Sequence, residues 1–316
     1  MSGYPHVVFY DIHCETTKQP WSPFTTRTYL ALRILGIPFQ HEYIPMCKIG
    51  PTLSAAELPQ PKDSRYTLPA ITLSPPRSGS GEKEWVTESE TIAALLQQLY
   101  LENGGDLSRS LFPDEASKQL ASGLKEQFTA SLYTKYHRWK SITPMVYHIL
   151  DPESQGFFHE TRISDWGKSP KEIIETDAKE NAERDGGVDK VYAKAMEPFG
   201  ELYEDKKKKK GLWLGGDNPI YADIKVLGMM QWFNCANGEA FEGGLKAVGG
   251  ALEKAWIAGQ VYFTQSWAGE AFIVHSTLSL VKTFVSLCRV GLRSMQPYNL
   301  TYNAQTQRLK ANLSSL

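Results

Sequence analysis

The chain of 316 residues has only four cysteines, Cys14, Cys47, Cys235 and Cys288, and none stands in a CxxC or other paired spacing. Scattered thiols argue against a disulfide framework and against a zinc site, so no metal is expected; they fit a reducing compartment. Charge of one sign is also missing, because 34 Lys+Arg against 35 Asp+Glu leave a formal net charge of −1. With no basic excess and no arginine-rich or aromatic RNA-binding pattern, nucleic acid is not an expected partner. The opening residues, MSGYPHVVFYDIHCETTKQP, hold no basic segment leading into an apolar run. No secretory signal is read there, and a cytoplasmic protein is expected. No internal repeat is visible. What the chain does have is length and aromatics, 8 Trp, 15 Tyr and 13 Phe, enough for two domains and something extra.

The first hundred residues alternate between strand and helix patterns. His6–Ile12 (HVVFYDI) is β-branched and aromatic and reads as a buried strand. A polar loop, Cys14–Trp21, follows. Thr25–Leu35 places Leu30, Ala31 and Ile34 at helical spacing, with Gly36 as a stop signal before Ile37-Pro38. Phe39–Ile44 reads as a second strand, and Cys47–Arg65 as irregular. Thr67–Leu73 and Glu84–Thr87 are two apolar runs separated by SPPRSGSG, which predicts a hairpin with an enlarged turn. Glu90–Tyr100 sets Ile92, Leu95, Leu96 and Leu99 on one helical face. Strand, helix, strand, then strand, strand, helix is the order of a thioredoxin-like α/β domain.

Beyond residue 100 no strand pattern of any length appears. Leu101–Ser110, with Asn-Gly-Gly-Asp, reads as an interdomain linker. Ala116–Trp139, Pro170–Arg184, Val188–Lys206 and Tyr221–Phe233 read as helices. The expected domains are therefore 1–100 (thioredoxin-like), 101–112 (linker), 113–265 (all-helical) and 266–316 (an atypical tail). Lys206–Lys210, five lysines in a row, reads as a solvated loop. Ala271–Leu292 is apolar for about a bilayer's width. Lys282 and Arg289 interrupt it, so a partly buried helix is expected and no membrane span. The polar residues after Ser294 are expected to be flexible.

Three local features carry chemistry. In Trp21-Ser22-Pro23-Phe24-Thr25-Thr26, a hydroxyl stands where a helix begins, and free N–H groups there favour an anion. Ser22 suits the stabilisation of a thiolate by hydrogen bonding; the plainer reading is a helix cap. In Thr67-Leu68-Pro69-Ala70, a proline at the mouth of a strand is expected to be cis. The Leu68 backbone then faces outward, suited to pairing with an extended peptide; an edge-strand proline with no ligand is the alternative. In Glu88-Ser89, just before the third helix, the carboxylate suits an amino group and the hydroxyl a carboxylate.

Their order and spacing resemble the glutathione transferase family. More narrowly, Trp21-Ser22-Pro23-x-Thr25-x-Arg27-Thr28, with Ala31-Leu32 and Gly36-Ile37-Pro38, is similar to the fungal and bacterial etherase-like, serine-type transferases, which read roughly WSPxTWKTRYALxxKGIPY. Phe157-Phe158-His159-Glu160-Thr161-Arg162 with Trp166-Gly167-Lys168 resembles the subfamily's FFRxTRExxFGK. Leu214–Ile224 resembles the family's GGDxPSYADI, in which Asp223 caps a buried helix. Departures are Tyr29 for the usual Arg, Thr26 for Trp, and Ile220 for the Ser or Thr that completes the capping box. The resemblance implies glutathione as co-substrate and Ser22 as the thiolate-stabilising residue. It further implies Leu68 and Pro69 as backbone site and Glu88 and Ser89 as γ-glutamyl binders. A homodimer is implied too, with a small hydrophobic aromatic substrate, aryl ethers included, against Trp21, Phe24, Tyr133, Tyr136 and Trp139. Those aromatics read equally as ordinary core.

Two other readings stand beside this one. The scaffold can serve as a non-catalytic ligand-binding or regulatory protein. Cys14 can serve as the nucleophile of a thiol transfer, although it lies eight residues before Ser22, outside the motif. The seven histidines offer no spacing for a two-histidine or Ser-His-Asp hydrolase, and Gly79-Ser80-Gly81 opens no helix and so forms no phosphate loop.

Overall fold

The computed structural model describes residues 3–17, 19–59, 65–77, 79, 82–134, 136–205 and 210–264. The chain divides into two units, residues 1–265 and 266–316. The second unit, and with it the run Ala271–Leu292, lies outside the described residues, as do Lys206–Lys209.

Strands β1 (His6–Ile12), β2 (Gln40–Ile44), β3 (Ala70–Ser74) and β4 (Glu84–Thr87) form one mixed sheet in the order β2-β1-β3-β4. β1 runs parallel to β2 and antiparallel to β3, and β3 is antiparallel to β4. The alternation in HVVFYDI works as read, with Val7, Phe9 and Asp11 buried on one face. Asp11 can be buried because Ile12 N–H donates to it at 2.7 Å and His41 Nε2 stands 3.1 Å away.

Helix α1 (Pro23–Leu35) ends where Gly36 takes φ 67°, a conformation glycine enters without penalty, and its N–H donates to Arg33 O. Helix α2 (Ile49–Ala55) occupies part of the stretch read as irregular. Its two buried side chains, Ile49 and Leu53, are i and i+4, too short a pattern to stand out. Helix α3 (Ser89–Glu102) buries Ile92, Leu95, Leu96 and Leu99. Strands, α1 and α3 together make the thioredoxin-like domain.

The helical domain follows as α4 (Glu115–Leu132), α5 (Pro152–Trp166), α6 (Pro170–Ile173), α7 (Lys179–Asp185), α8 (Val188–Glu204), α9 (Tyr221–Ala236), α10 (Gly238–Val248), α11 (Gly250–Gly259) and α12 (Val261–Thr264). α4 stops at Leu132, seven residues short of the expected Trp139; beyond it His137 takes φ 47° and opens a 3₁₀ turn, Arg138–Ser141. One π turn, Ile174–Ala178, joins α6 to α7. Helices α5, α10 and α11 were not apparent from sequence. α9 is the core of this domain, buried without a break from Tyr221 to Phe233.

At the start of α9, Ile220 supplies no side-chain oxygen. Half of the capping box survives: Asp223 Oδ2 accepts from Ile220 N–H at 2.9 Å. Asp223 Oδ1 accepts from Leu214 N–H at 2.9 Å and from the Tyr203 hydroxyl at 2.6 Å. Burial pushes the Asp223 carboxyl up to about 6, and these hydrogen bonds work against the rise.

Candidate functional site

Register places the three chemical features together. Tyr10 pairs with Ala70, and Ala70 with Thr87. The residues just before Ala70 (Leu68 and Pro69) and just after Thr87 (Glu88 and Ser89) therefore share one end of the sheet. It is the end at which β1 leaves for the loop to α1, so the N-terminus of α1 returns to it. Strand ends of this kind are where α/β sheets offer backbone groups to a ligand.

Ser22 precedes the first turn of α1 with φ −69° and ψ 134°, and its hydroxyl does not cap the helix. The capping alternative is therefore not what the side chain does. Its carbonyl holds the turn, accepting from Thr26 N–H at 2.9 Å and from the Thr25 hydroxyl at 3.3 Å. Beside it, Trp21 Nε1 and Thr26 Oγ1 are buried with no partner among the described residues. The Leu68–Pro69 bond is cis, as the position of the proline predicts, and both residues are buried.

Glu88 takes φ 69° and ψ 115°, a backbone that non-glycine residues rarely adopt. Its carboxylate is exposed, and Ser89 behind it is buried. Such strain collects at ligand-binding positions, where surrounding structure holds it in place.

α9 braces this end from below. Tyr221 donates its hydroxyl to Ser89 O at 3.0 Å. Lys225, 2% exposed, donates to Glu90 Oε1 at 2.6 Å and to Ala121 O at 2.8 Å. Burial lowers the Lys225 ammonium, and Glu90 works against that fall. Burial acts to raise the Glu90 carboxyl, but the Lys225 bond and charge outweigh it and hold it below the usual range. Farther along, Gln231 Nε2 donates to Pro20 O at 3.1 Å.

Residues 21–99 match the family model of the glutathione S-transferase N-terminal domain, and residues 123–262 that of its C-terminal domain. The chain belongs to the glutathione S-transferase family. It is 29% identical over 233 residues to the glutathione S-transferase-like protein ustS of Aspergillus flavus, covering 71% of this chain and 79% of that one. Among solved structures it is similar to a glutathione S-transferase of Ceriporiopsis subvermispora in complex with glutathione. The TM-score is 0.66, with 20% identity, over 83% of this chain and 100% of that chain. Glutathione transferase GSTFuA3 from Phanerochaete chrysosporium gives 0.64 and 21%, over 84% and 100%. At these identities the likeness is one of fold: a thioredoxin-like domain followed by a helical one.

The aromatics named from sequence fall into two groups. Trp21 is buried at 5% exposure, whereas Phe24 stands 52% exposed with the Arg27 guanidinium 4.7 Å from its ring centre. Tyr133 stacks on Trp139 at 6.1 Å, and the guanidinium groups of Arg138 and Arg184 stand 4.7 and 5.0 Å from the Tyr136 ring centre. Among the described residues, no ring contact joins the second group to the first. Cys14 is buried at 7%, its Sγ 3.4 Å from the Thr16 hydroxyl, and the thiol is not presented to solvent as a nucleophile needs.

Contacts from the helical domain to the loop before Ser22 were not named from sequence. Glu15 N–H donates to Ile149 O at 2.9 Å, and His13 Nδ1 stands 3.5 Å from Asp151. α5, which carries the FFHETR segment, reaches the sheet domain at both ends. Lys48 pairs with Glu153 at 2.5 Å, and Arg65 with Asp165 through two bonds of 2.9 and 3.0 Å. The one available signal was polarity in the wrong place: beyond the capping Asp223, Lys225 and Gln231 interrupt a helix that is otherwise largely apolar.

Proposed function

We propose that this chain is a glutathione transferase whose sheet end holds the tripeptide and whose Ser22 hydroxyl stabilises the thiolate. The observation that carries the reading is the convergence at one sheet end of a hydroxyl not used as a cap, the Leu68–Pro69 backbone, and the strained Glu88-Ser89 corner. These residues fit a peptide with an amino group and a carboxylate at one end and a thiol near the middle. Glutathione supplies the sulfur nucleophile when bound. Glu88 pairs with its α-amino group, Ser89 donates to its γ-glutamyl carboxylate, and the Leu68 backbone holds the cysteinyl unit. Ser22 donates to the sulfur, and its bond strengthens as negative charge gathers there.

The second substrate in this reading is a small hydrophobic aromatic electrophile, aryl ethers among them, beside Trp21 and Phe24. With an aryl ether, a carbon–sulfur bond forms as the carbon–oxygen bond breaks, and the electron pair leaves on the aryloxide. In this reading Tyr133 and Tyr136 belong to the helical-domain side of the second-substrate pocket, in a homodimeric, cytoplasmic enzyme. Titration calorimetry with glutathione tests the site. Glu88→Ala and Ser89→Ala each weaken binding by about 1–3 kcal/mol, the range of a lost charge-assisted bond. A wild-type protein that gives neither heat nor thermal shift at millimolar glutathione refutes the assignment.

A further inference from the structure

Resting on the glutathione reading, we propose that one stripe of α9, formed by Tyr221, Lys225 and Gln231, positions the two parts of the site separately. Tyr221 and Lys225 set the tripeptide-holding corner at Ser89, and Gln231 sets the loop that carries Ser22.

The argument starts from burial. Tyr221, Lys225 and Gln231 are 1–2% exposed, in a helix surrounded by apolar side chains. Leucine or methionine would pack there without needing partners, whereas a buried ammonium or amide is costly unless bonded. Each of the three finds an acceptor outside α9, on the sheet domain or α4, and Gln231 Nε2 donates within the helix as well, to Cys235 Sγ at 3.4 Å. Taken down the helix, the contacts run in order. Tyr221 reaches Ser89 O, Lys225 reaches Glu90 and Ala121 O, and Gln231 reaches Pro20 O. Between them lies Gly228, where a Cβ would come within 2.8 Å of Pro23 O, so the helix touches the backbone of α1 directly. The positions step by four, three and three residues, which keeps them on neighbouring turns of one side.

A helix rises 1.5 Å per residue, so Tyr221 and Gln231 are held ~15 Å apart by a rigid rod. The segments they grip are not rigid by themselves: one is the loop between β1 and α1, the other the strained corner at Glu88. Two hydrogen bonds to main-chain carbonyls thus fix where Ser89 and Ser22 stand relative to each other. Being ~15 Å apart with separate acceptors, they act on separate steps. The Ser89 end governs how tightly glutathione is held, and the Pro20 end governs how well the hydroxyl meets the sulfur.

Two near-isosteric variants of the full-length protein divide these roles. Tyr221→Phe keeps the ring and loses one donor; Gln231→Met keeps the volume and loses another. Tyr221→Phe is expected to raise the Kd and KM for glutathione ~2–10-fold, the span of one hydrogen bond, with kcat and the bound thiol pKa unchanged. Gln231→Met is expected to lower kcat by a like factor and to raise that pKa, with Kd unchanged. Amide exchange should quicken at 88–92 in the first variant and at 13–22 in the second. Variants that shift both constants together, quicken exchange at both segments, or change nothing overturn the division of roles. An exchange pattern that divides as expected in a protein that binds no glutathione instead refutes the glutathione reading, and with it the roles given to the two ends.

Discussion

At the scale of single residues, Glu88 carries the sharpest contrast between folding and function. Its φ of 69° costs a non-glycine residue about 1–3 kcal/mol. Glu88→Gly removes that strain together with the carboxylate. The variant should therefore be at least as stable as wild type in urea, while its affinity for glutathione falls about tenfold or more. A variant that loses stability as well as binding would show that the corner is held for packing. Trp21 and Thr26 make the complementary point. Their buried, unpartnered donors beside Ser22 are what a fold optimised for stability alone would have satisfied.

At the scale of elements, the turn from α7 into α8 rests on one carboxylate. Asp185, 3% exposed, accepts from Arg138 Nε at 3.1 Å and Lys194 Nζ at 3.1 Å, with Arg184 beside it. Burial acts to raise this carboxyl, and the three cations outweigh it, holding it at about 2 against an ordinary 3.8. A depressed folded value stabilises the protein above the unfolded pKa and is lost as pH falls through the folded one. Asp185→Asn should cost on the order of 2 kcal/mol at neutral pH. Its deficit should shrink to about half by pH 3, as protonation removes the same charge from wild type. Urea melts at pH 7, 5, 4 and 3 measure this, and a deficit constant across that range would contradict it. Elements also show what sequence makes legible. β1 was readable because alternation and β-branching agree, and α3 because four leucine and isoleucine side chains share a face. α5 escaped notice because it buries only Ser154 and Phe158, leaving no apolar stripe. α10 and α11 escaped because GEAFEGGLKAVGGALEKAWIAG is punctuated by glycines that weaken helices in isolation. The end of α4 was misjudged because aromatics at Tyr133, Tyr136 and Trp139 continue a helical spacing after the backbone has turned. Ser22, Pro69 and Glu88 were each legible as local motifs; their meeting at one sheet end, and the grip of α9 beneath them, depend on tertiary packing that no local pattern encodes.

At the scale of the whole molecule, the sheet and helical domains within residues 1–265 meet where α1 crosses α9, both buried along most of their length. Gly228 permits that crossing, and Gly228→Ala should cost about 1–3 kcal/mol, as overpacking against a backbone carbonyl does. Both domains should lose stability in one shared transition; a sheet domain that melts apart from the helical one would contradict a single core. Among the described residues no helix is long and apolar enough to cross a membrane. In the proposed reading, Ser22 lies on the α1 side of this core and Gln231, which grips its loop, on the α9 side. The most direct test of the central claim is thiolate absorbance of bound glutathione against pH, in wild type and in Ser22→Ala. Wild type should show a thiol pKa below that of free glutathione, and Ser22→Ala should raise it while still binding the tripeptide. An identical pKa in the two proteins would contradict the role given to Ser22.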